Sequence, residues 1–157
     1  MNDLNSLQVQ VLYEARKTLR SDVMAITKSS LSENKLNHLV IAPGTVGPEQ
    51  FSTEIVQETC CLKVMKSKEV LAIRNYSRTD DDVFCPLMQA ENLEGYLGVP
   101  LILNGSCFGA LEAMTKRPKN WTEADQQMAC EFAKVLESLL EGDQSTAAAD
   151  PKVRRLN

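Results

Sequence analysis

Asn104-Gly105 separates two apolar runs, residues 96–103 and 107–114. Both central residues of a type I′ turn need a positive φ, and Asn-Gly is among the pairs that favour it most. The segment therefore predicts an antiparallel β-hairpin. Gly98 and Gly109 lie inside the runs, where a missing side chain indicates close packing or a bulge.

Helical patterns stand at both ends of the chain. Residues 4–20 carry apolar side chains at spacings of three and four, in a face wide enough to offer a stripe to a partner. Thr122, with Asp125 three residues later, predicts the start of a helix over 122–141. Gly142 is expected to end that helix.

Shorter elements fill the region between. Residues 22–27 and 35–42 predict a second hairpin, and residues 53–66 predict a helix capped by Ser52 or Thr53. Residues 70–73 read as a buried strand, and residues 75–92 form the least regular stretch, typical of a lid or binding segment.

The predicted order is helix, hairpin, helix, strand, loop, hairpin, helix, which indicates an α+β fold with helices packed on an antiparallel sheet. All these elements lie within residues 1–142, so we expect one domain there. Residues 143–157 contain few large apolar groups and are predicted to form a flexible tail.

Composition narrows the classes of function. The 157 residues include 17 Lys+Arg against 21 Asp+Glu, a net charge of −4, which argues against nucleic acid as a partner. No apolar run approaches the length of a membrane span, and the N-terminus lacks the pattern of a signal peptide. We therefore expect a cytoplasmic protein whose five cysteines are mostly reduced thiols.

The sequence resembles the GAF domain in several segments. They are residues 58–71, 97–101 and 109–111 and the capped terminal helix. In bacterial sensor GAF domains a Thr-x-Cys run, here at Thr59 and Cys61, leads through a turn into a strand. The resemblance covers about residues 5–141. It implies a central antiparallel sheet of about five to six strands, terminal helices on one face, and a loop-and-helix region around a ligand pocket on the other.

For function, the resemblance implies a bacterial-type, small-molecule-sensing domain that acts in signal transduction on a partner protein in trans. Terminal helices of GAF proteins commonly make dimers, so a homodimer is expected. Strand alternation places either Arg74 or Asn75 on the pocket face, and an inward Arg74 could pair with an anionic ligand. The candidate ligand-binding residues are Thr59, Cys61, Arg74, Asn75, Phe84, Cys85 and Tyr96.

Several specialised GAF ligands fit the sequence poorly. Cyclic-nucleotide GAF domains carry an acidic pair four and five residues after a phenylalanine, but Ile55 and Val56 follow Phe51 at those positions. A bilin site would need a Cys beside a His, and the only histidine, His38, has none. Neither a haem nor a zinc signature is present. The ligand stays open, a small organic molecule or an anion.

A second resemblance, to GAF-type free methionine-(R)-sulfoxide reductases, keeps a redox enzyme as the alternative. Cys61 and Cys85 stand at spacings like those of two family cysteines, and Glu112 resembles the first of two strand acids. No cysteine stands near Phe51, where the third is expected, and Met114 replaces the second acid. Cys85 would then need a resolving thiol from Cys60 or Cys61. The other cysteines look structural, at Cys107, and peripheral, at Cys130.

Overall fold

A computed structural model describes residues 6–30, 35–42, 53–54, 59–79 and 83–148 of the chain. Within them, six strands form one antiparallel sheet in the order β3-β2-β1-β6-β5-β4. The strands are β1 Val23–Ser30, β2 Lys35–Ala42, β3 Thr53–Glu54, β4 Leu71–Ile73, β5 Gly95–Leu103 and β6 Ser106–Thr115. The helices are α1 Ser6–Leu19, α2 Cys60–Ser67, α3 Pro86–Ala90 and α4 Glu123–Ala148.

Both predicted hairpins are confirmed. β5 pairs with β6 along its whole length, and Asn104 and Gly105 have φ of 51° and 84°, as a type I′ turn requires. β1 pairs with β2 in an antiparallel register. The predicted turn between β1 and β2 lies at 32–34, outside the described residues.

The sheet separates two apolar layers. One face is covered by α1 and α4, whose Leu12, Leu19, Ala133 and Leu136 pack on β1, β5 and β6. The other face is covered by α2, α3 and the described residues just before α3, through residues that include Cys60, Val83 and Met88. The predicted α+β arrangement, with the terminal helices together on one face, is confirmed.

The helix predicted over residues 53–66 begins later than expected. Thr53 and Glu54 belong to β3 and pair with β2, and α2 begins at Cys60. Its cap is Thr59, whose Oγ1 accepts a hydrogen bond from the Leu62 N–H at 3.0 Å. The prediction of a cap at Thr53 was wrong because Thr53 pairs with β2, and Ser52 lies outside the described residues.

The terminal helices differ from the prediction at the C-terminal end of α4 and in the buried face of α1. Thr122 caps α4 reciprocally with Asp125 as predicted, at 3.0 and 3.1 Å. Gly142 does not end the helix, which continues to Ala148, so that boundary was wrong and residues 143–148 of the predicted tail belong to α4. The rest of the predicted flexible tail, residues 149–157, lies outside the described residues. In α1 the buried side chains are those of Gln8, Leu12, Ala15 and Leu19, and Leu7 faces solvent.

Candidate functional site

A small cavity lies between the sheet and the layer formed by α2 and α3. Its volume is about 10 Å³, room for about one water molecule. The walls come from the start of α2, from residues 84–88 and from β5 and β6. Its lining residues are Thr59, Cys60, Cys61, Phe84, Cys85, Pro86, Leu87, Met88, Tyr96, Glu112 and Met114.

Glu112 is a buried carboxylate on the sheet wall of this cavity. Its side chain is 4% exposed and accepts two short hydrogen bonds, from the Thr27 hydroxyl to Oε1 and from the Tyr96 hydroxyl to Oε2, each at 2.5 Å. Among the described residues, no cation forms an ion pair with it. Two hydroxyl donors therefore replace the water that the carboxylate loses on burial.

Strand register brings these three side chains together. Glu112 stands opposite Gly98 of β5 and Ala25 of β1, so Tyr96 and Thr27 are its diagonal neighbours on the same face. The Tyr96 ring lies across Gly98, where a Cβ would collide with the ring and its hydroxyl. Gly98 is thus the position that lets Tyr96 reach Glu112.

Burial controls the ionisation of this cluster. It raises the pKa of Glu112, and the hydrogen bonds from Thr27 and Tyr96 offset that rise only in part. Burial, followed by the neighbouring Glu112 carboxylate, holds the pKa of Tyr96 well above its usual range. Tyr96 therefore keeps its proton and remains a donor to Glu112.

Replacing Glu112 with glutamine should change how stability depends on pH. Because the folded protein holds the Glu112 proton to higher pH than the unfolded chain does, wild-type stability should fall relative to Glu112→Gln as pH rises above about 4.3. The slope approaches about 1.4 kcal/mol per pH unit until the folded-state pKa is passed. Urea unfolding of both proteins between pH 4 and 8 measures it.

Glu131→Gln removes a carboxylate from the exposed surface of α4 and serves as the matched control. Its curve should run parallel to the wild-type curve. Parallel curves for Glu112→Gln as well would contradict a buried carboxylate with a raised pKa.

Two of the cavity cysteines are joined. Cys60, the first residue of α2, and Cys85, the residue before α3, form a disulfide with a Cα–Cα distance of 5.7 Å. Cys61 carries a buried thiol that donates to the Thr27 carbonyl at 3.6 Å. Of the two partners that the sequence left open for Cys85, the structure selects Cys60.

The structure gathers most of the predicted site residues around the cavity. Thr59, Cys61, Phe84, Cys85 and Tyr96 line it, together with Glu112 from the redox alternative.

Arg74 and Asn75 do not line the cavity. The Arg74 side chain is exposed and its carbonyl accepts a hydrogen bond from Lys119 N–H, whereas the Asn75 side chain bonds Ser77. β4 ends at Ile73, so strand alternation no longer applies to these two residues.

The cavity is also lined by side chains that the sequence did not predict there, namely those of Pro86, Leu87, Met88 and Met114. A proline at the first position of a helix signals the start of α3. No local signal shows that α3 turns toward the sheet, because that depends on contacts distant in sequence.

A larger groove of about 310 Å³ lies at another corner of the molecule. It lies between the end of α1 and the loop after β6. Its lining consists of the cationic residues Arg20, Lys116, Arg117 and Lys119, the acidic Asp22, and Thr115 and Pro118. None of the predicted site residues lies there. The groove is a basic surface feature of an acidic chain.

In the described residues, a six-stranded antiparallel sheet carries paired terminal helices on one face and a small cavity under short helices on the other. Residues 3–140 match the model of the GAF domain. The chain belongs to the GAF domain family, whose members generally bind small ligands and occur in signalling proteins. No curated protein matches this sequence.

Solved structures similar to this chain show the same fold. The GAF domain of a phosphoenolpyruvate-protein phosphotransferase from Coxiella burnetii is 14% identical, with a TM-score of 0.75 over 94% of this chain and 88% of that one. A domain of a putative two-component sensor histidine kinase from Sinorhizobium meliloti is 13% identical, with a TM-score of 0.72 over 94% and 98%.

A free methionine-R-sulfoxide reductase from Neisseria meningitidis, in complex with its substrate, is 16% identical, with a TM-score of 0.69 over 91% of this chain and 83% of that one. At such identities the likeness concerns the fold alone, and the site has to be argued from its own residues. Within the described ranges, none of the helices has the length and apolar character needed to cross a membrane.

Proposed function

We propose that this chain is a cytoplasmic, bacterial-type sensor domain that binds a small organic molecule in the cavity beside Tyr96 and Glu112. The observation that carries the proposal is the buried Glu112 carboxylate on the cavity wall, held by two hydroxyl donors. A buried ionisable group facing a cavity is typical of a functional site. The bound state would pass through the terminal helices to a signalling partner in trans.

Ligand entry requires the cavity to enlarge. Small-molecule sites usually measure about 300–1,000 Å³, far more than the present cavity. β5 and β6 are paired on both sides and form the fixed wall. The opposite wall, residues 83–90, has few backbone hydrogen bonds to the other described residues, so it is the wall we expect to move as the ligand shifts the population.

A thermal-shift survey tests the proposal. The protein is heated with amino acids, nucleotides and small anions, each in oxidising and in reducing buffer. A ligand at 100 times its Kd adds about 2.7 kcal/mol of stability, which raises Tm by roughly 5–10 °C in a domain of this size. Glu112→Gln should lose most of that shift, and Glu131→Gln should keep it. A hit equally strong in both variants would place the ligand elsewhere.

The terminal helices also support a proposed homodimer. Met128 and Val135 of α4 are 37% and 47% exposed and stand two turns apart on one face. Leu7 and Tyr13 of α1 are also exposed, at 52% and 39%. A second copy of the chain would cover these apolar side chains.

Light scattering should give a mass about twice the 17.4 kDa of one chain. Val135→Asp buries a charge in the proposed interface and should return the mass to that of one chain, because unpaired buried charges are costly. Asn120→Asp adds the same charge before α4 begins and should leave the dimer intact. A single-chain mass for the wild type would exclude the dimer.

The Cys60–Cys85 disulfide favours the redox enzyme as a second candidate function. In that reaction the Cys85 thiolate attacks the sulfoxide sulfur and takes the oxygen as a sulfenic acid, and the thioether leaves. The Cys60 thiol then condenses with the sulfenic acid, which releases water and forms the disulfide. An external dithiol reduces that disulfide and completes the cycle.

An assay with free methionine sulfoxide and dithiothreitol tests this candidate. Turnover that disappears in Cys85→Ser and persists in Cys107→Ser would support the enzyme. No turnover by the reduced wild type would exclude it and would leave the sensor.

A further inference from the structure

We infer that the Cys60–Cys85 disulfide is a redox-controlled closure of the cavity. In the oxidised protein it fastens the segment 83–90 to the start of α2, and its reduction releases that wall and admits the ligand. The inference rests on the proposed function, because it takes this cavity as the ligand site.

The disulfide joins the two walls at the point where they meet. Thr59 and Phe84 form an isolated parallel bridge, and the Cys60 N–H donates to the Phe84 carbonyl at 3.3 Å. Thr59, Phe84 and both cysteines line the cavity. The covalent bond therefore lies on the cavity wall itself and not at a remote position.

Apart from the disulfide and the Thr59–Phe84 bridge, side-chain contacts hold the outer wall in the described chain. The Cys85 N–H donates to the Tyr76 hydroxyl at 3.0 Å, and Leu87 and Met88 contribute apolar packing. α3 has only five residues. By contrast, the inner wall belongs to strands in a continuous ladder. Breaking the disulfide removes the one covalent tie between the outer wall and α2 while the inner wall stays fixed.

The chemical step is thiol–disulfide exchange with a dithiol. One thiolate of the dithiol attacks a sulfur of the Cys60–Cys85 bond, and its second thiol resolves the mixed disulfide. Two electrons and two protons pass to the cysteines, and the dithiol leaves as its own disulfide. Cys60 and Cys85 are 1% and 5% exposed, so attack has to wait for a transient opening of the outer wall.

When the reduced wall closes again, the bridge between Thr59 and Phe84 brings the two thiols back near each other. Exchange with an oxidised dithiol can therefore re-form the disulfide without any large rearrangement of the chain. The device responds in both directions to the ratio of reduced to oxidised dithiol around it.

Cys61 supplies a reporter that needs no ligand. Its thiol is 2% exposed, lines the same cavity and takes no part in the disulfide. Alkylation of Cys61 by iodoacetamide therefore measures opening of the cavity. Mass spectrometry of the peptide, with fragment ions that separate Cys60 from Cys61, gives the rate at each residue.

The test compares Cys61 alkylation in the air-oxidised and the dithiothreitol-reduced protein. Reduction should accelerate it about tenfold or more, because a buried group reacts in proportion to the open population. Cys60→Ser/Cys85→Ser should react at the fast rate in both buffers. Cys107→Ser/Cys130→Ser, which removes two sulfurs elsewhere, should behave as the wild type.

Trp121 fluorescence separates local opening from unfolding, since this side chain is buried on the other side of the sheet. If the double serine variant fails to fold, the reduced wild type with native Trp121 fluorescence decides the question. An unchanged Cys61 rate on reduction, or five reactive thiols in the oxidised protein, overturns the inference. A thermal-shift survey without a hit would instead count against the proposed function and would leave the alkylation result intact.

Discussion

Replacing Gly109 with alanine should lower the free energy of unfolding by about 3 kcal/mol. A Cβ at this position would collide with the Thr27 carbonyl oxygen and lie 3.1 Å from the Lys28 Cα. These are main-chain atoms of β1, so no side-chain rotation relieves the clash. The two strands concerned, β1 and β6, are the central pair of the sheet, and separating them costs hydrogen bonds along the ladder.

The same substitution should disturb the cavity. The Thr27 hydroxyl donates to Glu112, and the Thr27 carbonyl accepts a hydrogen bond from the Cys61 thiol. A displaced β1 would move both partners, so Cys61 should become easier to alkylate in Gly109→Ala.

Urea unfolding measures the loss of stability, and Gly142→Ala is the matched control. A Cβ at Gly142 meets nothing within 4 Å, and the residue lies inside α4. Alanine there should raise the free energy of unfolding by about 0.5–1 kcal/mol, as expected for a helix interior. If Gly109→Ala unfolds at the wild-type urea concentration, the close approach of the two strands is wrong.

The sequence predicted those elements whose signals are local. Asn104-Gly105 specifies its turn through the φ angles of two residues, and Thr122 and Asp125 specify a helix start through two hydrogen bonds. Gly142 failed as a helix end because glycine only weakens a helix, and the packing of α4 on β5 and α1 outweighs that cost.

The start of α2 failed for a different reason. Residues 53–54 pair with β2, and a pairing across the sheet overrides a helical spacing of apolar residues. Local pattern cannot weigh that contact, because the partner strand lies at residues 35–42.

Residues of the candidate cavity were predicted where the family resemblance supplied them and missed where tertiary contacts decide, and their role in binding stays a prediction. Thr59, Cys61 and Cys85 reach the cavity, and so does Glu112, but nothing in the chain before folding shows that Tyr96 crosses Gly98 to meet Glu112. Tertiary contacts also decide that Cys85 pairs with Cys60 and not with Cys61. Successive residues of a helix point about 100° apart, and the position of Cys85 selects between them.

Tyr96→Phe should lower the free energy of unfolding at pH 8 by about 2 kcal/mol. The substitution keeps the ring and removes one of the two donors to Glu112, and leaving a buried acceptor unsatisfied costs about 1–3 kcal/mol. The Glu112 Oε2 atom then stays buried without its donor, so the loss of stability includes the cost of removing that oxygen from water. Tyr13→Phe removes a hydroxyl from a side chain that is 39% exposed, where water can replace a lost partner, so it should change stability by less than about 0.5 kcal/mol.

A double-mutant cycle with Glu112→Gln shows whether the hydroxyl acts through the carboxylate. In the glutamine background the hydrogen-bond partner of the Tyr96 hydroxyl is a neutral amide. Tyr96→Phe should therefore cost only about 1 kcal/mol there, which gives a coupling energy of about 1 kcal/mol. Additive costs would mean that Tyr96 stabilises the fold independently of Glu112. A positive coupling means that the two residues form one polar unit on the cavity wall, and a ligand that bonds either of them must then alter the stability contributed by both.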